Sequence, residues 1–541
     1  MTTFLRAIAL PCLTFVLAFC QYPSFAQTVQ DGLKLMSNEK YKGAVTALEA
    51  AAQANATDAN AWYQLGNAYL AVGKTNEASS AYQKAIGANP KSYVAMAGAG
   101  KVLMAQGQTD AAKKAFDNVI KLSKSKDPAA SQAVAEGYMT GEKANADAAI
   151  ATIEKTIAAG KKNPSLLLTL GDAYLLKNDG GKAVTNYEYA ADADKTSAVP
   201  HYKIGNVYRR ARNLEEVAKA YKKAKEIDAN FAPVYRVAGD FYYDLNDYAK
   251  AKDNYAKYLE LGEPNITDQM QYANALFLAE DYKGTIEKVN QIVQIDSTKN
   301  YLLRLLGYCY YETGDSIKGL DFMDKFLKKT DPKKLIYSDY VYHAKLLAKN
   351  NKFDEALVSY NTAYAMADTT KDLKEEKKLD ILSTAAKLCY DKDKYTDAIR
   401  LYKTRIAKQA TPSSTDYYDL GKAQYFNKEY TAADSTFIKL IELKPTAPTG
   451  YLWRARTHKK IDPQMSTGSA KPHFEKLIEV ATVDTKTADK YKKELIDAYT
   501  YLVQYYNQKQ DLSNTRSNVQ KLLALDPSNK YGNEVVKTVG Q

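Results

Sequence analysis

The feature that most constrains this chain is a small residue that returns every 34 positions. Gly32, Gly66 and Gly100 keep that interval, and after three extra residues Gly137, Gly171, Gly205, Gly239, Ala273 and Gly307 resume it. Ala344, Ala386, Gly421 and Ala455 continue the series after short insertions. Apolar residues flank each position three and four apart, as in Trp62, Leu65, Gly66 and Tyr69, which is the spacing of one helix face. A break at Gly73-Lys74-Thr75 and a second helical run ending before Pro90 make the segment an antiparallel helix hairpin. The second run carries its own small residue, at Ala44, Ala78, Ala112, Ala149, Ala183, Ala251, Ala356, Ala398 and Ala433. Four residues later stands a large one, among them Leu48, Tyr82, Phe116, Ile153, Tyr187, Tyr255, Tyr360, Tyr402 and Phe437. Small against large lets neighbouring helices pack at interior density. A hairpin cannot bury its apolar face alone, so a chain built this way must stack its hairpins into an array.

The set Trp62, Leu65, Gly66, Tyr69, Ala78, Tyr82, Ala85 and Pro90 resembles the tetratricopeptide repeat. That resemblance implies an all-α fold, a right-handed α-solenoid of about fourteen helix hairpins whose first helices line a concave groove. Units are expected to begin near residues 25, 59, 93, 130, 164, 198, 232, 266, 300, 337, 379, 414, 448 and 496. The spacing predicts a first array over 27–368, a charged insertion and hinge at 369–378, and a second array over 379–530. The last unit is degenerate, with Val503 where a small residue belongs, and 531–541 reads as a frayed tail. A second hinge is expected between Glu479 and Asp489.

The first residues carry the layout of a secretory signal: Arg6, an apolar run from Ala7 to Phe19, then Ser24-Phe25-Ala26 before a cut at Gln27. The expected location is therefore the periplasm or cell envelope, similar to Gram-negative envelope proteins of this repeat class. Leu17-Ala18-Phe19-Cys20 is a poor lipobox because Phe19 stands where a small residue is wanted, so lipid anchoring at Cys20 is not expected. No later segment is long and apolar enough to cross a bilayer. Removal of the signal leaves Cys309 and Cys389, read as buried free thiols. Asp315-Ser316-Ile317 and Asp368-Thr369-Thr370 resemble acceptors for bacterial O-glycosylation.

Lys and Arg exceed Asp and Glu by 12, and Tyr outnumbers Phe by 44 to 14. In the family that the repeat resembles, the second, fifth, ninth and twelfth positions of a unit face the groove. The ninth positions Lys345, Lys387, Lys422 and Arg456 are all basic, whereas the earlier ones, which include Lys101, Asp172, Asn206 and Asn274, are mixed or acidic. Tyr418 stands at a fifth position, and Tyr311, Tyr390 and Tyr425 at twelfth positions. A basic wall interleaved with Tyr suits an extended acidic peptide, a terminal carboxylate or a glycan chain. The Lys and Asn clamp that some family members use for a terminal carboxylate is missing in its known form, since Tyr202 and Val237 occupy its positions.

No catalytic, cofactor or metal constellation emerges from the spacing. His201, His343, His458 and His473 have no partner at ligand spacing along the chain. Gly73-Lys74-Thr75 lacks the earlier glycine and the preceding strand of a phosphate loop. The resulting expectation is a non-catalytic envelope scaffold that holds protein or peptide partners, with a carbohydrate-binding module as the alternative. Nucleic acid is not an expected partner of an exported chain.

Overall fold

The computed structural model describes residues 28–160 and 162–539; the expected signal peptide and Cys20 lie outside them. Among the described residues the chain forms thirty α-helices and one 3-10 turn, with no strand. Helices alternate as expected, beginning Val29–Ser37 and Tyr41–Ala54, then Ala59–Ala71 and Thr75–Ala88. The architecture is an α-solenoid of stacked hairpins.

The small eighth position works as the sequence implies. A Cβ on Gly66 would come within 2.5 Å of the Tyr82 ring, and one on Gly421 within 2.5 Å of Phe437. Tyr82, Tyr187, Tyr255, Phe116 and Phe437 are among the largest side chains fully withdrawn from water. Gly98, in the next hairpin, comes equally close to the Tyr82 ring, and Gly100 and Gly137 do the same at Phe116, so these two rings join their own units to the following ones.

The turn inside each hairpin is equally regular. Lys74 N–H donates to Tyr69 C=O at 2.8 Å and Gly73 N–H to Leu70 C=O at 3.1 Å, the paired bonds of a Schellman stop. The residue between them must be left-handed, and it recurs at the fifteenth position of twelve units, from Glu39 and Gly73 to Lys428 and Gln510. Most of these residues are not glycine, and each accepts the cost of a positive φ.

The packing divides into two compact units at Lys288 and Val289, inside the helix Tyr282–Ile295. In the first unit the solenoid meets itself. The helices Tyr41–Ala54 and Ala232–Asp244 have no side-chain cap of their own. Glu263 caps the former from far along the chain, accepting from Lys42 N–H at 2.9 Å and Gly43 N–H at 3.2 Å. Asn38 caps the latter, its Oδ1 accepting from Ala232 N–H at 3.0 Å. Arg236 donates to Glu39 at 3.1 Å between these two caps. The turn of the first hairpin is thus seated against the start of the seventh and eighth.

In the second unit, three stretches that the sequence set apart take regular structure. The insertion at 369–378 does not interrupt packing, because Ala367 before it and Leu379 after it belong to one core cluster reaching from Ala344 to Ala423. Its residues lengthen two helices to seventeen each, Phe353–Thr369 and Glu375–Asp391. The stretch expected to hinge between Glu479 and Asp489 contains a short helix, Thr485–Lys490. The tail is not frayed either: Lys530–Val539 is a helix that buries Gly532, Val535 and Val539. Val535 and Val539 join Val503, Val519 and Leu522, covering the apolar end that a last hairpin would leave to water. No described helix is long and apolar enough to cross a membrane.

Candidate partner-binding site

The first helices of the second unit, to which the repeat register assigns the groove, are Tyr301–Glu312, Tyr337–Lys349, Glu375–Asp391, Ser414–Phe426 and Pro448–Ile461. Successive first helices bring one unit's ninth position beside the previous unit's twelfth. Lys345 lies 5.3 Å from the ring centre of Tyr311 and 5.1 Å from that of Tyr342. Tyr342 is stacked on Tyr308 at 3.8 Å, which fixes the platform beneath the ammonium.

A second assembly surrounds Lys422, whose Nζ lies 5.0 Å from the Tyr390 ring, 5.2 Å from Tyr418 and 5.9 Å from Trp453. Trp453 is the hub. Arg456 sits 5.2 Å from its ring, Tyr425 meets it edge-on at 5.3 Å, and Phe437 is stacked under it at 5.7 Å. Four of the nominated groove residues, Tyr390, Tyr418, Tyr425 and Arg456, therefore gather with Lys422 about a tryptophan that the groove register does not single out. Trp453 occupies a sixth position, and only its size marks it in the sequence.

Lys345, Lys422 and Arg456 form no ion pair among the described residues; they are held over aromatic faces instead. Asp419 is near enough to feel Lys422, yet burial dominates and holds its carboxyl above the usual range. Lys387 differs, because Asp391 on the same helix pairs with it at 2.7 Å. A cleft of 420 Å³ is lined by Tyr425, Leu452, Arg456, Lys459, Lys460 and Asp497 among others. Its lining carries three cations and one carboxylate.

Asn206 and Asn274 belong to the first unit. Asn206 has a structural task there: Tyr221 Oη donates to its Oδ1 at 2.8 Å. The same bond links Tyr82 to Asn67, Tyr187 to Asp172 and Tyr255 to Asp240, fifteen residues apart in each case. In these units the ninth position is an acceptor because the second helix buries a tyrosine that needs one. Elsewhere in this unit Lys101 is buried against Glu136 with Asn67 and Tyr82 nearby. Burial opposes the Lys101 charge, but Glu136 and the tyrosines Tyr63 and Tyr82 outweigh it and raise the ammonium above its usual range.

The histidines also depart from the sequence reading. His343 bridges Asp324 at 2.9 Å and Ser359 at 3.0 Å. His458 and His473 stand with Asp434 in one group, each offering a ligand atom within 4.8 Å of the others. The two rings are 4.4 Å apart. Burial first, then Arg454 and His458, depress His473 to about 4. Stacking of hairpins brings these residues together, and no local motif announces it.

Three stretches match family profiles of the tetratricopeptide repeat: 59–92, 199–231 and 232–263. The C-terminal part of a repeat-containing protein of this class from Cytophaga hutchinsonii is 32% identical, over 49% of this chain and 98% of that one, with a TM-score of 0.40. A repeat-containing protein from Methanocaldococcus jannaschii is 25% identical over 232 residues, 40% of this chain and 39% of its own length. This chain thus spans about two fifths of that curated relative. YrrB, described as having an unusual peptide-binding site, is 21% identical over 34% of this chain and 93% of its own, with a TM-score of 0.30.

Proposed function

Because this chain belongs to the tetratricopeptide repeat family, we propose that it is a protein-binding scaffold whose second unit receives an acidic segment of its partner. The observation that carries this reading is the state of Lys345, Lys422 and Arg456. Three cations at groove positions form no ion pair among the described residues, and each is set against aromatic rings. Partly desolvated cations of this kind gain more from an incoming carboxylate than surface lysines do, because water screens them less. The tyrosines supply flat apolar area and hydroxyls at low entropic cost. A terminal carboxylate fits the mouth of the cleft at Arg456, Lys459 and Lys460.

The partner would be met outside the cytoplasm, in the periplasm or envelope, as part of a secretion or assembly complex. This part of the reading rests on Arg6, the apolar run that follows it and Ser24-Phe25-Ala26. Mass determination of the protein from the producing cell tests it. A chain beginning at Gln27 fits; a chain retaining its first residues does not.

A carbohydrate chain is the second reading, favoured by the Tyr-rich wall. Its weakness is that Trp453, the best sugar-stacking ring, is only 7% exposed and has Phe437 on one face. In-cell crosslinking from the Tyr418 and Tyr425 positions separates the two. A polypeptide recovered from wild type and lost when Lys345, Lys422 and Arg456 become Glu supports the scaffold. Glycan recovered alone supports the alternative.

A further inference from the structure

We propose that Asp434, His458 and His473 bind one late first-row transition-metal ion, of which Zn2+ is the type. The three side chains come from three successive helices, Tyr430–Leu443, Pro448–Ile461 and Lys471–Ala481. An ion there would tie the twelfth hairpin to both helices of the thirteenth.

The geometry is close to what such an ion needs. Ligands about 2.1 Å from a tetrahedral centre stand about 3.4 Å from one another. His458 Nε2 is 3.2 Å from Asp434 Oδ1, and all three ligand atoms fall within 4.8 Å of one another.

The second observation concerns His458 itself. Both of its ring nitrogens are shielded from solvent, and neither makes a hydrogen bond among the described residues. Nε2 is near Asp434 but off the line a hydrogen bond requires. Buried polar atoms are almost always satisfied, and an ion bound at Nε2 supplies the partner which that nitrogen lacks. His343 makes the contrast plain, because each of its ring nitrogens has one.

Donor type selects the ion. Two imidazoles and one carboxylate suit Zn2+, Cu2+ and Ni2+, whereas Mg2+ and Ca2+ demand oxygen. Arg454 holds the carboxylate from behind, Nε to Oδ1 at 2.6 Å and Nη2 to Oδ2 at 3.0 Å. Outer hydrogen bonds of this kind orient a ligating carboxylate, while the charge of Arg454 lowers the affinity for a cation. The site is accordingly one of moderate strength, with a fourth position left for water or a partner's side chain.

The test uses the full mature chain, purified without a histidine tag and stripped with a chelator. Zn2+ is titrated against a competing indicator, and Co2+ is followed by its visible d–d absorption. One equivalent of Zn2+ is expected, with the intense Co2+ bands of a tetrahedral site and a rise in melting temperature. His473→Ala, placed in the first turn of its helix, and His458→Ala should each weaken binding at least about tenfold. His343→Ala should not. If His458→Ala fails to fold, as its helical circular dichroism will show, His473→Ala carries the comparison. Absence of Zn2+ binding by wild type, or binding of equal strength in His473→Ala, overturns the proposal.

Discussion

Arg236 and Glu39 meet at 3.1 Å across 197 residues of chain. Glu39 occupies the left-handed turn of the first hairpin, with φ of 57°. Arg236 projects from the fifth position of the seventh, a place the repeat register assigns to the groove. Burial works against the Arg236 charge, and Glu39 with Tyr202 and Tyr258 more than restores it. The cation is spent on the protein's own first hairpin and not kept for a partner.

This closure should be measurable. Glu39→Asn keeps a residue that tolerates the left-handed turn and removes the ion pair. A loss of about 1–2 kcal/mol is expected, between the value of an exposed pair and that of a buried one. Hydrogen exchange by mass spectrometry should show faster exchange in peptides from Tyr41–Ala54 and little change beyond residue 300. Unaltered exchange in the first hairpin would mean that the caps from Glu263 and Asn38 hold it without the pair.

The Lys101–Glu136 pair lies along the groove of the first unit, with Lys101 only 6% exposed. Glu136→Gln strands the ammonium, and a cost of about 3 kcal/mol is expected in urea denaturation. Adding Lys101→Met should recover most of it, since an apolar side chain needs no partner there. Failure of the double variant to recover would show that Glu136 serves the fold by other bonds.

The repeat register itself gives a paired test. Gly421→Ala places a methyl group 2.5 Å from the Phe437 ring and should destabilise the protein by about 1–3 kcal/mol. Gly87→Ala meets nothing within 4 Å, on an exposed helical site, and should stabilise it by about 0.5–1 kcal/mol. Thermal melts of the two variants should move in opposite directions.

Lys225 is half-buried beside Asn254 and Tyr235, with no carboxylate paired to it among the described residues. Burial pushes its ammonium down to about 8 from 10.5. Because the folded value lies below the unfolded one, the native protein holds fewer protons across that window, and its stability should rise as pH climbs from about 8 to about 10. Amine-directed labelling at pH 8 should modify Lys225 severalfold faster than exposed lysines such as Lys222. Equal rates would place its ionisation in the ordinary range.

How much of this was written in the sequence follows from distance along the chain. The hairpins, their glycines and the Ala-to-aromatic contacts were legible because each involves residues within one unit or its neighbour. Lys345, Lys422 and the tyrosines around them were legible for the same reason. Trp453 was not, since it enters the cluster from a sixth position that the groove register passes over. The helix Lys530–Val539 was missed although Tyr531, Val535 and Val539 have helical spacing, because its apolar face makes sense only against Val503 and Val519. The caps that Glu263 gives to Lys42 and Gly43 and Asn38 gives to Ala232, like the group Asp434, His458 and His473, depend on how hairpins stack and curve. No local pattern encodes that curvature.

The central claim is that uncommitted cations over aromatic rings make the second unit a receptor for acidic segments. Fluorescence anisotropy of an Asp- and Glu-rich peptide with a free C-terminus, titrated with the mature protein at low and at physiological salt, tests it most directly. The account expects saturable binding that weakens with salt, falls at least about tenfold when Lys345, Lys422 and Arg456 are all changed to Glu, and is little affected by Lys387→Glu, whose charge Asp391 already holds. Binding of equal strength by wild type and the triple variant, with helical content unchanged, would contradict it.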